Sequence, residues 1–281
     1  MGRNDAALVL PRDAVLSRDL EAARRAWKNG DPQESALAHQ RPRGKEVHSA
    51  HAAVFMKSVV FGGMDGIMTT FAIVAGSSGA NLSPTVVLII GFANLVADAI
   101  SMGVGDYVSS VAEIEHARTE MARQSWELEN FPKGEIDEMV ELYESKGVQR
   151  ADAELIINTM AKYKEFFVEH MMVTELGVMP PDPDESPAAK GICTFLAFMV
   201  FGAVPLLVLG VLRFATSDHN TVLLIACIAT AITLFLLGII KARLSGNGRY
   251  VRAGSTVLFN GAIAAGSAYL IGWALSLLFS T

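Results

Sequence analysis

The sequence predicts an all-α polytopic membrane protein, with five membrane-spanning helices and a polar three-helix domain inserted between the second and third. Three observations carry this. Hydrophobic residues make up 51% of the 281-residue chain and charged residues only 19%, against about 25% charged in an average soluble domain. The apolar residues gather into blocks of roughly 20, the length that crosses a bilayer core as a helix. One 81-residue stretch, 108–188, interrupts those blocks with 18 Asp or Glu against 7 Lys or Arg.

Residues 1–50 are polar and punctuated by Gly30, Pro32, Pro42 and Gly44. A short surface helix is expected in DAVLSRDLEAARRAWK and disorder around it; no signal peptide is expected, since no apolar core of that kind is present. Spans are placed at 56–77, 84–107, 190–212, 220–241 and 255–279. Arg41, Arg43, Lys45 and Lys57 flank the start of the first span, and Lys241, Arg243, Arg249 and Arg252 lie between the last two. Lys and Arg gather on the cytoplasmic side, so the N-terminus and the insert are expected in the cytoplasm and the C-terminus beyond the membrane. The domains read as 1–50, a disordered N-terminus; 51–110, spans one and two; 111–187, the cytoplasmic insert; and 188–281, spans three to five. Cys193 and Cys227 both fall inside spans, which argues for packing residues rather than a disulfide framework or a zinc–thiolate site.

The insert has helical patterning. SSVAEIEHARTEMARQSWELEN continues the second span with no breaker after Gly105. FPKGEIDEMVELYESKG is bounded by Pro132, Gly134 and Gly147. ADAELIINTMAKYKEFFVEHMMVTELG carries Leu155, Ile156, Met160, Tyr163 and Phe167 at helical spacing and stops at Gly177. VMPPDPDESP is too rich in proline to be helical.

The first span contains one acid, Asp65, in an otherwise apolar or small stretch. A carboxylate there costs about 2.5–3.5 kcal/mol even on translocon scales, and such acids mark ion or proton paths. The second span supplies partners. Asn94, Asp98, Met102 and Asp106 fall four apart and form one ridge. Beside it Ala93, Ala97, Ser101, Gly105 and Ser109 form a small-residue seam suited to close helix approach in lipid. Carboxylates mixed with a thioether suit Fe²⁺, with Mn²⁺, Co²⁺ and Zn²⁺ as weaker candidates, because Mg²⁺ and Ca²⁺ take oxygen alone.

The insert repeats that chemistry. Glu113, Glu120 and Glu127 lie seven apart near one face of its first helix, with His116 on the same side. Glu135 and Glu138 share a face of the second. Glu175 lies four residues from Met171 and three from Met172. Packed together, these helices would bring several carboxylates and two thioethers to one place; the competing reading is a solvated acidic surface.

MDGIMTTFAIVAG, ADAISMGVGDYVSS, EHMMVTELG, LFLLGIIKARLSG and GAIAAGSAYLIG, in this order from about residue 48 onward, resemble the vacuolar iron transporter family. The resemblance implies a dimeric five-span fold with a cytoplasmic three-helix metal-binding domain. It also implies movement of Fe²⁺, often Mn²⁺ too, into a vacuole in exchange for protons. By position it assigns Asp65 and Met102 to the translocation path, and Glu127, Glu135, Glu138, Met171, Met172 and Glu175 to the metal-binding domain. Gln124 stands where plant-type members carry a metal-binding Glu, and Asn94 where they carry an acid; Asp98, one turn on, is the carboxylate available to replace the latter. The expectation is therefore a transporter, not an enzyme, with no prosthetic group and no nucleic-acid partner. Two alternatives stay open. Glu113-Ile-Glu-His116 supplies one Glu-x-x-His, where a ferritin-like di-iron oxidase needs two and two further Glu on a four-helix bundle. A metal-binding protein that does not transport would not need an acid deep in the first span.

Overall fold

The computed structural model describes residues 20–40, 50–215, 219–244 and 248–279, and every regular element among them is an α-helix. The chain divides into two units, Met1–Ala52 and Ala53–Thr281.

The first unit holds α1 (Leu20–Asn29) and α2 (Pro32–Gln40), which pack together. Their turn is written in Asn29-Gly30-Asp31-Pro32. Gly30 adopts φ +65°, the left-handed geometry that ends a helix and favours glycine. Asp31 Oδ1 then accepts from the Gln33 and Glu34 amides at 2.9 and 3.1 Å, an N-cap ahead of a proline at the first helical position. Ala22 and Ala26 are buried. The sequence suggests one helix in a disordered segment. The structure shows two across 20–40, and the remaining residues of that expectation, 1–19 and 41–49, lie outside the described residues.

The second unit begins within α3 (Ala50–Gly79) and continues with α4 (Pro84–Asn130). At 47 residues α4 is one unbroken rod about 70 Å long, more than twice the bilayer core. Three helices follow it, α5 (Pro132–Ser145), α6 (Arg150–Met160) and α7 (Lys164–Thr174), then α8 (Pro187–Ala215), α9 (His219–Leu244) and α10 (Tyr250–Phe279). Five helices are long and apolar enough to cross a membrane: α3, α4, α8, α9 and α10. These are the five expected, each extending beyond its predicted bounds.

Side chains from α3, α4, α8 and α9 share one core around Val74, Leu95, Phe198 and Leu206, and α3, α9 and α10 share another around Ile67, Leu234 and Val257. Helix α3 approaches its neighbours very closely. A Cβ on Gly66 would stand 2.5 Å from the Phe198 carbonyl oxygen of α8. Small residues at such crossings replace hydrophobic driving force with tight van der Waals contact in lipid.

The inserted domain is the outer part of α4 with α5, α6 and α7 packed on it. Leu128, Met139, Val140, Ala153, Ile157, Phe167, Val168 and Met171 form its core. The predicted third helix is two helices, broken at Ala161–Tyr163 with neither proline nor glycine. A continuous helix through Ala153, Ile157 and Met160 would carry Lys164 onto the same apolar line. The break instead leaves Lys164 exposed and ion-paired to Glu129.

Gly66→Ala is expected to lower the thermal unfolding temperature in detergent, because the Phe198 backbone cannot yield; overpacking of this kind costs about 1–3 kcal/mol. Gly266→Ala, where a Cβ meets nothing within 4 Å, is expected to leave it unchanged or raised. Differential scanning fluorimetry of both variants checks the pair, and equal behaviour would refute the close-approach account.

Candidate functional site

Two groups of polar residues stand out, one within the spans and one in the inserted domain. In the spans, Asn94, Asp98, Met102 and Asp106 are all half-buried along one side of α4. Asn94 Nδ2 donates to Asp98 Oδ2 at 2.5 Å, as residues one turn apart can. Asp65 of α3 is half-buried, and its carboxylate lies near enough to Asp98 to feel its charge. Two acids from two spanning helices therefore share one polar strip, flanked by Asn94 and Met102. The neighbouring seam Ala93, Ala97, Ser101, Gly105 and Ser109 is exposed along its whole length.

In the inserted domain the end of α4, the start of α5 and the end of α7 converge. Gln124 is 1% exposed and Glu135 8% exposed, and Met171 and Met172 are fully buried. Glu127 is half-buried, while Glu138 and Glu175 lie at the exposed rim. Burial, then repulsion by Glu138, Glu127 and Glu175, pushes the Glu135 carboxyl up to about 7. Glu175 is also raised, by burial and then Glu138, against the lowering effects of Arg123 and of a hydrogen bond from the Gln124 amide. Gln124 Oε1 is left buried with no partner. An orphan buried oxygen costs about 1–3 kcal/mol, and here it belongs to an amide that neighbours the Glu175 carboxylate.

One cation sits in this group. Arg123 reaches Glu120 at 2.8 Å and Glu127 at 2.7 Å, and the pairing raises its own pKa. Among the described residues no three His, Cys, Asp or Glu side chains are placed to hold a metal ion together. The carboxylates are gathered but not closed, and Glu127 is turned toward Arg123. Behind the two methionines, His170 Nε2 pairs with the Tyr143 hydroxyl at 2.7 Å. Its pKa is lowered by burial and by Lys146.

Not every sequence-predicted residue joins a group. Glu113 and His116 are exposed on α4, eight or more residues before Gln124 and so about 12 Å or more along the axis. They stand apart from the Glu135 group. Arg123 and the hydroxyl partners of Asp106 were not anticipated. Arg123 shows as an i−3, i+4 bridge between two glutamates, a readable spacing; contacts between distant helices leave no such mark.

Five helices of membrane-spanning length with acids among them, and a gathering of carboxylates in the domain inserted between the second and third, define a class, that of polytopic membrane proteins. Residues 56–273 match the VIT family, and the chain belongs to that family. It is 42% identical over 270 residues to the vacuolar iron transporter of Toxoplasma gondii (strain ATCC 50861 / VEG), covering 95% of this chain and 87% of that one. It is 40% identical over 257 residues to the vacuolar iron transporter of Plasmodium berghei (strain Anka), covering 89% and 94%. Identity to vacuolar iron transporter 1 of Arabidopsis thaliana is 30% over 221 residues, covering 78% and 86%.

The Glu135 shift has a definite sign. Its folded value of about 7 lies above the ordinary 4.5, so between those values the folded state binds more protons than the unfolded one. The stability it contributes is full below about 4.5 and is lost as pH rises through 7. Urea melts of the metal-free protein should therefore show stability falling over that window, and Glu135→Gln should flatten the slope. A slope unchanged by Glu135→Gln would show that Glu135 is an ordinary carboxylate.

Proposed function

We propose that this chain moves cytoplasmic Fe²⁺, and Mn²⁺ with it, across a vacuole-type membrane in exchange for protons, working as a homodimer. Family membership and relatives named vacuolar iron transporter support the cargo and the compartment. The observation that carries the mechanism is that Asp65 of α3 lies within Coulombic reach of Asp98 of α4. Two carboxylates in a low-dielectric setting resist joint ionisation. A dication satisfies both; without it, a proton is the available substitute. Metal and proton then compete for one site, since a ligand must be deprotonated to bind, and that competition is the coupling.

The inserted domain acts first in this scheme. Glu135, Glu138, Glu127 and Glu175 supply charge, Met171 and Met172 supply softness, and Gln124 offers one neutral oxygen. This donor set suits Fe²⁺, with Mn²⁺ a weaker candidate, better than Mg²⁺ or Ca²⁺. Its net negative field raises the local cation concentration. Binding there requires Glu135 to shed its proton, so affinity rises with pH toward neutrality. The exposed small-residue seam on α4 is the surface we assign to the dimer contact, where side chains this small let backbones meet. The di-iron oxidase alternative finds a single exposed Glu-x-x-His, separate from the other carboxylates.

Asp65→Asn tests the path. It keeps size and hydrogen bonding but cannot exchange a proton or neutralise a dication. In sealed vesicles with an acidic interior it is expected to abolish Fe²⁺ uptake while the protein stays folded and the inserted domain still binds metal. Asp98→Asn should lose proton coupling as well. Parent-like, pH-driven uptake by Asp65→Asn would sink this mechanism.

Gln124→Glu tests the outer site. A carboxylate at a fully buried position should lower the melting temperature of the metal-free protein and tighten Mn²⁺ binding by about tenfold, the effect of one charge on a dication at about 6 Å in a water-like dielectric. Scanning calorimetry reads the first and titration calorimetry in detergent the second, and weaker binding would place position 124 outside the site.

A further inference from the structure

One carboxylate on the α4 ridge has no part in the scheme above. Asp106 stands one turn beyond Met102. Its Oδ2 accepts from Ser58 Oγ of α3 at 3.2 Å and from Thr194 Oγ1 of α8 at 2.5 Å. Both flanking helices thus hold one oxygen of the group, and among the described residues Oδ1 accepts no hydrogen bond. The carboxylate lines a cavity of about 500 Å³ whose wall follows α4 from Met102 through Asp106 to Glu113. Ser101, Gly105 and Ser109 of that wall belong to the seam assigned above to the dimer contact, so in the proposed homodimer the cavity lies at the interface between copies. The twelve positions from Met102 to Glu113 span about 16 Å of helix. Met102 belongs to the polar strip within the spans, and Glu113 lies past the expected span end at 107, on the part of α4 that leads to the inserted domain. The cavity runs from the polar strip toward the inserted domain and ends at Glu113, about 16 Å along α4 short of Gln124.

Its lining is mixed in charge. Lys190 faces it but is ion-paired with Glu185, whereas Lys57 is exposed at its edge. Setting that pair aside leaves two carboxylates against one ammonium, together with a thioether and several hydroxyls. An anion would meet Asp106 and Glu113, so the donors favour a cation, and the thioether favours a transition-metal dication over Mg²⁺ or Ca²⁺.

We propose that Asp106 and Met102 form a loading site, where a divalent cation released by the inserted domain is held before it reaches Asp98 and Asp65. The proposal deepens the transport reading and rests on it. Ser58 and Thr194 fix the carboxylate in one orientation, with Oδ1 free for the ion. Lys57 keeps the site weak. An ammonium on the same cavity repels a dication, so an ion that enters also leaves, which is the condition for conduction through a series of sites.

Initial rates of Mn²⁺ uptake into proteoliposomes test this with the full-length protein. Asp106→Asn retains an oxygen that accepts from both hydroxyls but removes the charge. Its KM for Mn²⁺ is expected to rise about tenfold, the Coulombic effect of one charge on a dication at about 6 Å. Lys57→Met, at an exposed position, should move KM the other way. A carboxylate that merely ties α3, α4 and α8 together would lower thermal stability in Asp106→Asn, leave KM alone, and give Lys57→Met no effect. An unchanged KM in Asp106→Asn, or in Lys57→Met if Asp106→Asn does not fold, overturns the loading site while the parent still transports. A parent that takes up no Mn²⁺ or Fe²⁺ under a pH gradient removes the transport reading, and the loading site with it.

Discussion

A carboxylate inside a spanning helix needs a partner, a cation or a proton, and the arrangement of α3 and α4 follows from that requirement. Lipid supplies none of the three. Asp98 takes Asn94 from its own helix as a donor. The charge that Asp65 feels is that of Asp98 and not of a basic residue, so the pair is left electrostatically incomplete. Meanwhile Gly62, Gly63 and Gly66 let α3 lie against the backbone and aromatic rings of α8, which fixes the helix that carries Asp65. Close packing on one side of α3 thus holds an unneutralised acid steady on another.

Helix α4 transmits that arrangement outward. It carries the polar strip, then Asp106, then Gln124 and Glu127 on one continuous rod. A rigid helix keeps these groups at fixed separations along its axis, where a hinge would not. The inserted domain is built directly on this rod through the core that holds Leu128, Phe167 and Met171. Met171 belongs to that core, and Met172 beside it on α7 is equally buried. In the proposed metal site their thioethers would act as weak, polarizable ligands while packing as apolar groups.

Much of this is legible in the sequence because it is periodic. Apolar blocks of spanning length announce five helices, and four-residue spacing from Asn94 to Asp106 announces a ridge. The absence of a breaker after Gly105 announces that α4 leaves the membrane intact. What cannot be read is whatever depends on two distant segments meeting. The break at Ala161–Tyr163 has no glycine or proline to mark it, since its cause is the need to keep Lys164 off a core built by other helices. The hydroxyls on Asp106 come from positions 48 residues before it and 88 after it. The α1–α2 turn is the opposite case: Gly30, Asp31 and Pro32 spell it locally, and composition alone masked it.

The charge balance of the inserted domain bears on how an ion would leave it. Gathering Glu127, Glu135, Glu138 and Glu175 without relief would bind a dication tightly and hold it. Three features of this chain act against that. Gln124 is neutral at the most buried position, Arg123 occupies Glu127, and Glu135 is held near half protonation at neutral pH. At the proposed metal site each would lower affinity by a different route: a missing charge, a competing cation and a competing proton. For a site that hands its cargo on, the useful affinity is one matched to the next site along the path, and every one of these terms can be set without disturbing the packing beneath.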